Sequence, residues 1–297
     1  MRNQTQVELF PVDPGSEGAA TPAASPRFQR SFLKWAGNKF QILSEILRVL
    51  PPDQRLVEPF AGSGVVFLNA EFARNLVCDS NGALVDTFAS IKSDVERFVL
   101  EGRKLFRPET NEKLAYYGLR EEFNRTSDRF RKSLIFVYLN RHCFNGLCRF
   151  NQSGKFNVPF GRYRSPSFPE REIRHFARRA SGAEFVCQDF VTTLRGCVPG
   201  DVVYCDPPYV PLSKTASFTA YSTGDFSLQF QADLAREAQA LAARGIPVVL
   251  SNHDTELTRQ LYAAADSLRT VAVQRFISCD GGNRGKAGEI IAVFEGS

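Results

Sequence analysis

The chain has 297 residues, of which 43% are hydrophobic and 23% charged. That balance excludes a disordered polymer, and apolar runs such as Ile246 to Leu250 are far shorter than the roughly 20 residues that span a bilayer, so no membrane partner is expected. Lys/Arg outnumber Asp/Glu only 37 to 32 overall, but 14 to 5 between Arg120 and Ala180, the pattern of a face that meets polyanions.

Residues 1–30 begin the chain with a small, proline-punctuated run, Pro14 to Pro26. Such a run buries too little surface to offset chain ordering, so a disordered extension is expected. Apolar residues at Ile42, Leu43, Ile46, Leu47 and Leu50 predict a helix ended by Pro51-Pro52. A strand over Arg55–Phe60 follows, then Ala61-Gly62-Ser63-Gly64, a helix over Val65–Phe72, and a short strand ending in Asp79. Strand, glycine turn, helix, strand, acid is the order of a nucleotide-binding α/β domain.

That alternation then stops. Val85–Leu105, Lys113–Phe123 and Phe130–Leu139 read as helices, and residues 140–169, rich in Asn, Gly, Pro, Arg and Phe, read as irregular. An arginine-rich helix is expected near 171–179. Strand signals return at Glu184–Cys187, Val202–Cys205 and Ile246–Ser251, with a helix over Leu228–Ala243 between the last two. Thr270–Ile277 and Glu289–Phe294 flank Asp280-Gly281-Gly282-Asn283-Arg284-Gly285, a hairpin signal. The reading is an α/β sheet with a terminal hairpin and an inserted, mainly helical domain.

Seven cysteines, an odd number with no Cys-x-x-Cys pair, argue against a disulfide framework and a structural zinc site. They point to a reducing, cytoplasmic setting. His142, His175 and His253 make no metal-ligand spacing, and no metal is expected.

Two segments carry chemistry. In Glu58-Pro59-Phe60-Ala61-Gly62-Ser63-Gly64, small residues let backbone approach a ligand. Asp79, at the end of the next strand, is placed to accept hydrogen bonds from a ribose, as found in dinucleotides and in S-adenosylmethionine. Phe67 stands where a dinucleotide site needs its third glycine, which counts against NAD. In Val202–Tyr209 a buried strand runs into Asp206-Pro207-Pro208-Tyr209. The prolines stiffen the turn and leave its carbonyls as acceptors. A carboxylate, a fixed carbonyl and a flat ring suit an exocyclic amino group on a planar base.

These segments resemble the Dam-type DNA adenine-N6 methylases, which act on GATC. The resemblance runs over about residues 31–295, through Phe32-Leu33-Lys34-Trp35-Ala36-Gly37-Asn38-Lys39, Val57 to Gly64, Asp79, Leu139-Asn140-Arg141, Phe144 to Phe150, Phe156 to Tyr163, Asp206-Pro207-Pro208-Tyr209, Pro211-Leu212-Ser213 and Ser251-Asn252-His253-Asp254. It implies a class I S-adenosylmethionine-dependent (Rossmann-like) catalytic domain over 31–84 and 170–297, with a DNA target-recognition domain over 85–169. Trp35, Lys39, Gly62, Gly64, Asp79 and Asp206 are implied at the cofactor, which leaves as S-adenosylhomocysteine. Asp206, Pro207 and Tyr209 are implied at the flipped adenine. Phe144 and Asn145 would fill its place in the duplex, Arg149 grip a guanine edge, and Lys34 meet the outer guanine. Leu147, Pro159, Arg162 and Tyr163 complete the implied reading loop.

The sequence departs from the family at Asn38, where a second glycine is usual, and at His142, Cys143 and Phe144, where Tyr-Gly-Tyr is common. The partner implied is double-stranded DNA, bound by a monomer. Two alternatives stand at this point: an amino methyltransferase for another nucleic-acid base, against which Asp206 argues because cytosine enzymes usually carry serine there, and a sequence-specific DNA-binding protein with a silent site.

Overall fold

A computed structural model of the chain describes residues 28–209, 228–273 and 287–296. The expected extension lies outside these residues up to position 27, as do Pro211-Leu212-Ser213, the hairpin turn and Cys279. Seven strands form one sheet: β1 (Arg55–Glu58), β2 (Arg74–Asp79), β3 (Ala183–Cys187), β4 (Asp201–Cys205), β5 (Val248–His253), β6 (Ser267–Val273) and β7 (Ala287–Phe294). Their order is β3-β2-β1-β4-β5-β7-β6. The first five pair in parallel, and β7 runs antiparallel to both β5 and β6. The last strand therefore inserts between β5 and β6 instead of extending the edge. This is a class I methyltransferase (Rossmann-like) sheet.

Alternation along the central strands sorts side chains into two packed layers. Val57, Val203, Cys205, Val248 and Leu250 face α8 (Phe190–Arg195), α9 (Leu228–Ala242) and α10 (Glu256–Leu261). Leu56, Val202, Tyr204 and Val249 face α1 (Leu43–Val49) and α2 (Val65–Asn69). The chain leaves β1 toward β2 on one side and resumes at β4 on the other. That reversal opens a crevice at the carboxyl ends of β1 and β4, where ligands bind in such sheets.

The long helix expected over Val85–Leu105 is two, α3 (Gly82–Ser93) and α4 (Val95–Arg103). Asp94 separates them: its carboxylate accepts the Arg97 N–H at 3.0 Å and so starts a new helix. The expected boundary at residue 84 falls inside α3. One core runs across it, joining Phe67, Phe88 and Phe176 to residues of α5 (Lys113–Arg125) and α6 (Arg129–His142) such as Phe123, Phe136 and Tyr138. α7 (Glu170–Ala180) closes this layer.

Residues 143–169 hold no long element, yet much of their backbone is tied down. Bridges join Cys143 to Phe160 and Phe150 to Phe156. Tyr116, Arg120 and Asn124, four residues apart on one face of α5, add side-chain bonds to it. Tyr116 Oη and Arg120 Nη1 donate to Val158 O at 2.8 and 3.2 Å, and the Asn124 amide pairs with both the N–H and the C=O of Phe156.

Candidate active site

A cavity of about 700 Å³ opens in the β1/β4 crevice. Its walls include Trp35, Lys39, Gly62, Asp79, Asp206, Pro207 and Tyr209, which are seven of the residues expected at the cofactor or the base. Gly62 adopts φ +48, and a Cβ there would sit 2.8 Å from Trp35 Nε1, so only glycine lets the indole close on this turn. Asp79 Oδ2 accepts the Gly62 N–H at 3.0 Å and Oδ1 the Asn81 N–H at 2.9 Å. Burial raises the Asp79 carboxyl, opposed by those N–H groups. Gly64 lies behind the wall: at φ +69 it starts α2 and packs near Phe67, Phe88 and Phe176.

At the opposite side, Asp206 and Tyr209 are fixed by Lys39. The Lys39 side chain is 3% exposed, and its ammonium donates to Gly37 O at 2.8 Å, to Tyr209 Oη at 2.5 Å and to Asp206 Oδ1 at 2.7 Å. The Tyr209 hydroxyl in turn donates to Glu289 Oε1 at 2.8 Å. The His253 ring stacks on Tyr209 at 3.7 Å. Ser251 Oγ bonds Tyr204 Oη at 2.8 Å and reaches Asp206 Oδ1 at 3.4 Å. Burial raises the Asp206 carboxyl while Lys39 pulls it down.

Glu58 is the wall residue that sequence reasoning left without a role. It is 2% exposed, and its Oε1 is buried without a partner. Burial pushes its carboxyl up to about 8, against a hydrogen bond from the Phe67 N–H, with the Asp206 charge adding to the rise. Gln188, Asp189, Phe190 and Phe230 also line the cavity. The first three directly follow β3, so the strand-end rule could have found them; Phe230 enters from α9 through tertiary packing alone.

Asn38 does not carry a left-handed backbone. Its φ is −52, its side chain accepts the Phe40 N–H at 2.7 Å, and its amide reaches Ser63 Oγ at 3.4 Å. The left-handed position is Gly37, at φ +75. An asparagine is thus absorbed as a cap at the cavity rim.

The residues expected to read DNA form a second group. Phe144 is 50% exposed, and Asn145 and Arg162 both have φ 54. The Phe144 N–H donates to Pro159 O at 2.9 Å, which closes the loop on itself. Arg149 Nε donates to Asn157 Oδ1 at 2.8 Å. Lys34 Nζ sits 4.2 Å from the centre of the Tyr163 ring. Leu147 packs against the helical core instead of standing out. The departures at His142 and Cys143 lie inside the protein: both are buried, His142 Nδ1 bonds Tyr138 O at 2.9 Å, and burial lowers its imidazole to about 4.

The two groups are joined through Asn140. Its Oδ1 accepts the Lys34 N–H at 2.8 Å, and its Nδ2 donates to Lys34 O at 2.7 Å and Gly146 O at 3.2 Å. Among the described residues, no group of His, Cys, Asp and Glu is arranged to hold a metal ion, and no helix is long and apolar enough to cross a membrane.

A class I methyltransferase sheet with an acidic crevice and a basic loop beside it defines a nucleic-acid methyltransferase class. Comparison with known proteins narrows it. The family described as D12 class N6 adenine-specific DNA methyltransferase matches residues 35–276. The chain is 50% identical over 266 residues to the DNA adenine methylases of Salmonella typhi and Escherichia coli strain K12, covering 90% of this chain and 95% of each relative. It is 47% identical to the DNA adenine methylase of Serratia marcescens, over 89% of this chain and 98% of that one. The chain belongs to the D12 class of N6 adenine-specific DNA methyltransferases.

Proposed function

We propose that the protein transfers a methyl group from S-adenosylmethionine to N6 of adenine in double-stranded DNA, within GATC. The observation that carries this reading is the Asp206–Tyr209 turn, held by Lys39 at the wall of the cavity. The cavity suits a cationic cofactor. Asp79, Asp189 and Asp206 line it against Lys39, and the protonated Glu58 adds a buried Oε1 without a partner. Asp79 meets the ribose hydroxyls, Trp35 the sulfonium, and the unpartnered Glu58 Oε1 accepts a hydrogen bond from the cofactor. Bound cofactor supplies an electrophilic methyl group on sulfur.

The chain's own residues do the rest. Adenine N6 in a stacked duplex is out of reach, so the base must turn out, and Phe144 with Asn145 is the exposed wedge that takes its place. Tyr209 gives the extruded base a face to stack on. The amino group donates one hydrogen to Asp206 and one to the Pro207 carbonyl. Those bonds draw the nitrogen lone pair out of ring conjugation and aim it at the methyl carbon. Once N6 has gained carbon it must shed a proton, and Asp206 is the acceptor beside it. Arg149 reads a guanine edge and Lys34 the outer guanine, with Pro159, Arg162 and Tyr163 shaping the loop.

The test is to incubate unmethylated plasmid with the protein and S-adenosylmethionine, then read modified bases directly by sequencing. N6-methyladenine confined to GATC is expected, and Asp206→Ala should lose at least about 100-fold in rate. Modification in another context would overturn the site assignment. DNA binding without any transfer would favour the DNA-binding alternative.

A further inference from the structure

The strand-end run Ser251-Asn252-His253 lies directly behind the Asp206–Tyr209 turn, and Asn252 has no part in the chemistry above. Pro207 and Pro208 have no backbone N–H. The turn therefore cannot be fastened at those residues by donating; only its carbonyls can be held. Pro208 O accepts from Gln231 Nε2 at 2.8 Å. Gln231, in the first turn of α9, is fully buried, as are Asn252 and Tyr262. Gln231 Oε1 accepts from Asn252 Nδ2 at 3.1 Å and faces Tyr262 Oη at 3.5 Å. Asn252 Nδ2 also reaches Tyr262 Oη at 3.0 Å, and Asn252 Oδ1 accepts the His253 N–H at 2.8 Å.

Burying three uncharged polar side chains is costly unless each is bonded. Tyr262 shares an apolar cluster with Leu234, Leu250 and Cys205, so hydrocarbon would pack on that side as well. What the network adds is direction. With its oxygen turned to the Asn252 donor, the Gln231 amide can present only its NH2 to Pro208.

We propose that Gln231, oriented by Asn252 and Tyr262, is a positioning residue for methyl transfer: by holding the Pro208 carbonyl it sets the aim of the Pro207 carbonyl and the Asp206 carboxylate. This rests on the proposed transfer at that turn. Wild-type protein assayed alongside separates the two, because failure of the wild type to methylate adenine would overturn that reading instead.

Gln231→Leu keeps the volume and removes the donor. Its kcat on a GATC duplex should fall about ten- to a hundredfold. The KM for DNA and the calorimetric dissociation constant for S-adenosylmethionine should stay within about threefold of wild type, since uniform binding is untouched. A merely structural residue would lower thermal stability and leave kcat of the folded protein alone. Gln231→Glu supplies the rescue. A protonated carboxyl reproduces both bonds, donating to Pro208 O and accepting from Asn252; an ionised one sets an oxygen lone pair against the carbonyl. Its kcat should approach wild type at the acidic end of the active range and fall as pH rises.

The ionisable groups on the elements that meet position 231 are Cys205 on β4, Asp206 on the turn, His253 on β5, Tyr262 just after α10, Asp189 before α8, and Asp233 and Glu237 on α9 itself. All are present in the wild type, so its profile subtracts them. The proposal is wrong if Gln231→Leu keeps kcat within about twofold of wild type, or if Gln231→Glu is no faster than Gln231→Leu at the acidic end of the active range. Should Gln231→Leu fail to fold, Tyr262→Phe removes the hydroxyl without a cavity. It should lower kcat severalfold at unchanged KM, and an unchanged kcat there overturns the proposal equally.

Discussion

Arg149 and Glu58 show how one side chain can carry a property of the whole. Arg149 has its guanidinium plane set by Asn157 Oδ1, 2.8 Å from Nε. A planar fork held in this way matches the two acceptors on a guanine edge. Arg149→Ala should therefore lose about 1–3 kcal/mol of discrimination at a single base pair of the site, read as kcat/KM on duplexes substituted one pair at a time. A uniform loss over all positions would reduce Arg149 to a phosphate contact. Glu58 gives a stability signature. Folded, its carboxyl holds a proton up to about pH 8; unfolded, it ionises near 4.5. Between those values the unfolded chain binds fewer protons than the folded one, so stability falls as pH rises, by about 1.4 kcal/mol per unit from this group. Glu58→Gln removes that slope. The variant should melt above wild type at pH 8 and converge with it toward pH 4.5 in thermal unfolding; a constant offset would show that Glu58 does not titrate as placed. Asp206 and Asp79 were legible as strand-end acids. Glu58 was not, because its proton depends on burial, which no local pattern reports.

At the level of elements, the regular pieces were read close to their observed bounds where a period was long enough to see. α5, α6 and α9 fall within a few residues of expectation. The six-residue helices α8 and α10 carry under two turns of period and were not anticipated. α3 and α4 were fused, since Asp94 acts through its side chain and leaves the apolar spacing unbroken. The reading loop was legible as irregular but not as rigid. Its order comes from Tyr116, Arg120 and Asn124 on another element, and such pairing has no local signature. Gly146 illustrates the fit: at φ +63, a Cβ there would lie 2.5 Å from Lys34 Cβ. Gly146→Ala should cost about 1–2 kcal/mol in backbone strain alone and displace Lys34. The expected result is a raised KM for DNA with cofactor affinity by calorimetry unchanged. Loss of both together would mean that the substitution disturbs the sheet.

At the scale of the molecule, charge and topology act together. Several arginines of the 120–180 region are spent on ion pairs within the fold, such as Arg131 with Glu122 and Arg174 with Glu170. Arg149, Lys155, Arg162 and Arg164 make no such pair among the described residues, and all four are exposed. Of these, Lys155 and Arg164 carry no proposed base contact and are free to meet phosphates. Affinity for DNA should fall with a log–log salt slope near −0.9 for each phosphate met, and substituting Lys155 and Arg164 together should flatten that slope by up to about two contacts. A slope unchanged in the double variant would move the phosphate track elsewhere. The sheet order carries a similar lesson. A hairpin was expected at the end of the chain, but nothing local says which of its strands meets β5. The inserted β7 pairs Glu289 with His253, and only that placement brings Glu289 to Tyr209.

Lys34 and Trp35 are separated by one peptide bond. The first lies on Tyr163 and is clamped by Asn140 to the turn at Gly146; the second walls the β1/β4 cavity against Gly62. On the proposed reading, a mismatch felt by Lys34 at the outer edge of the recognition sequence is one peptide bond from the wall of the cavity. Fidelity in such an arrangement is expressed in turnover as well as in affinity: a near-cognate duplex can be gripped and still leave unmarked.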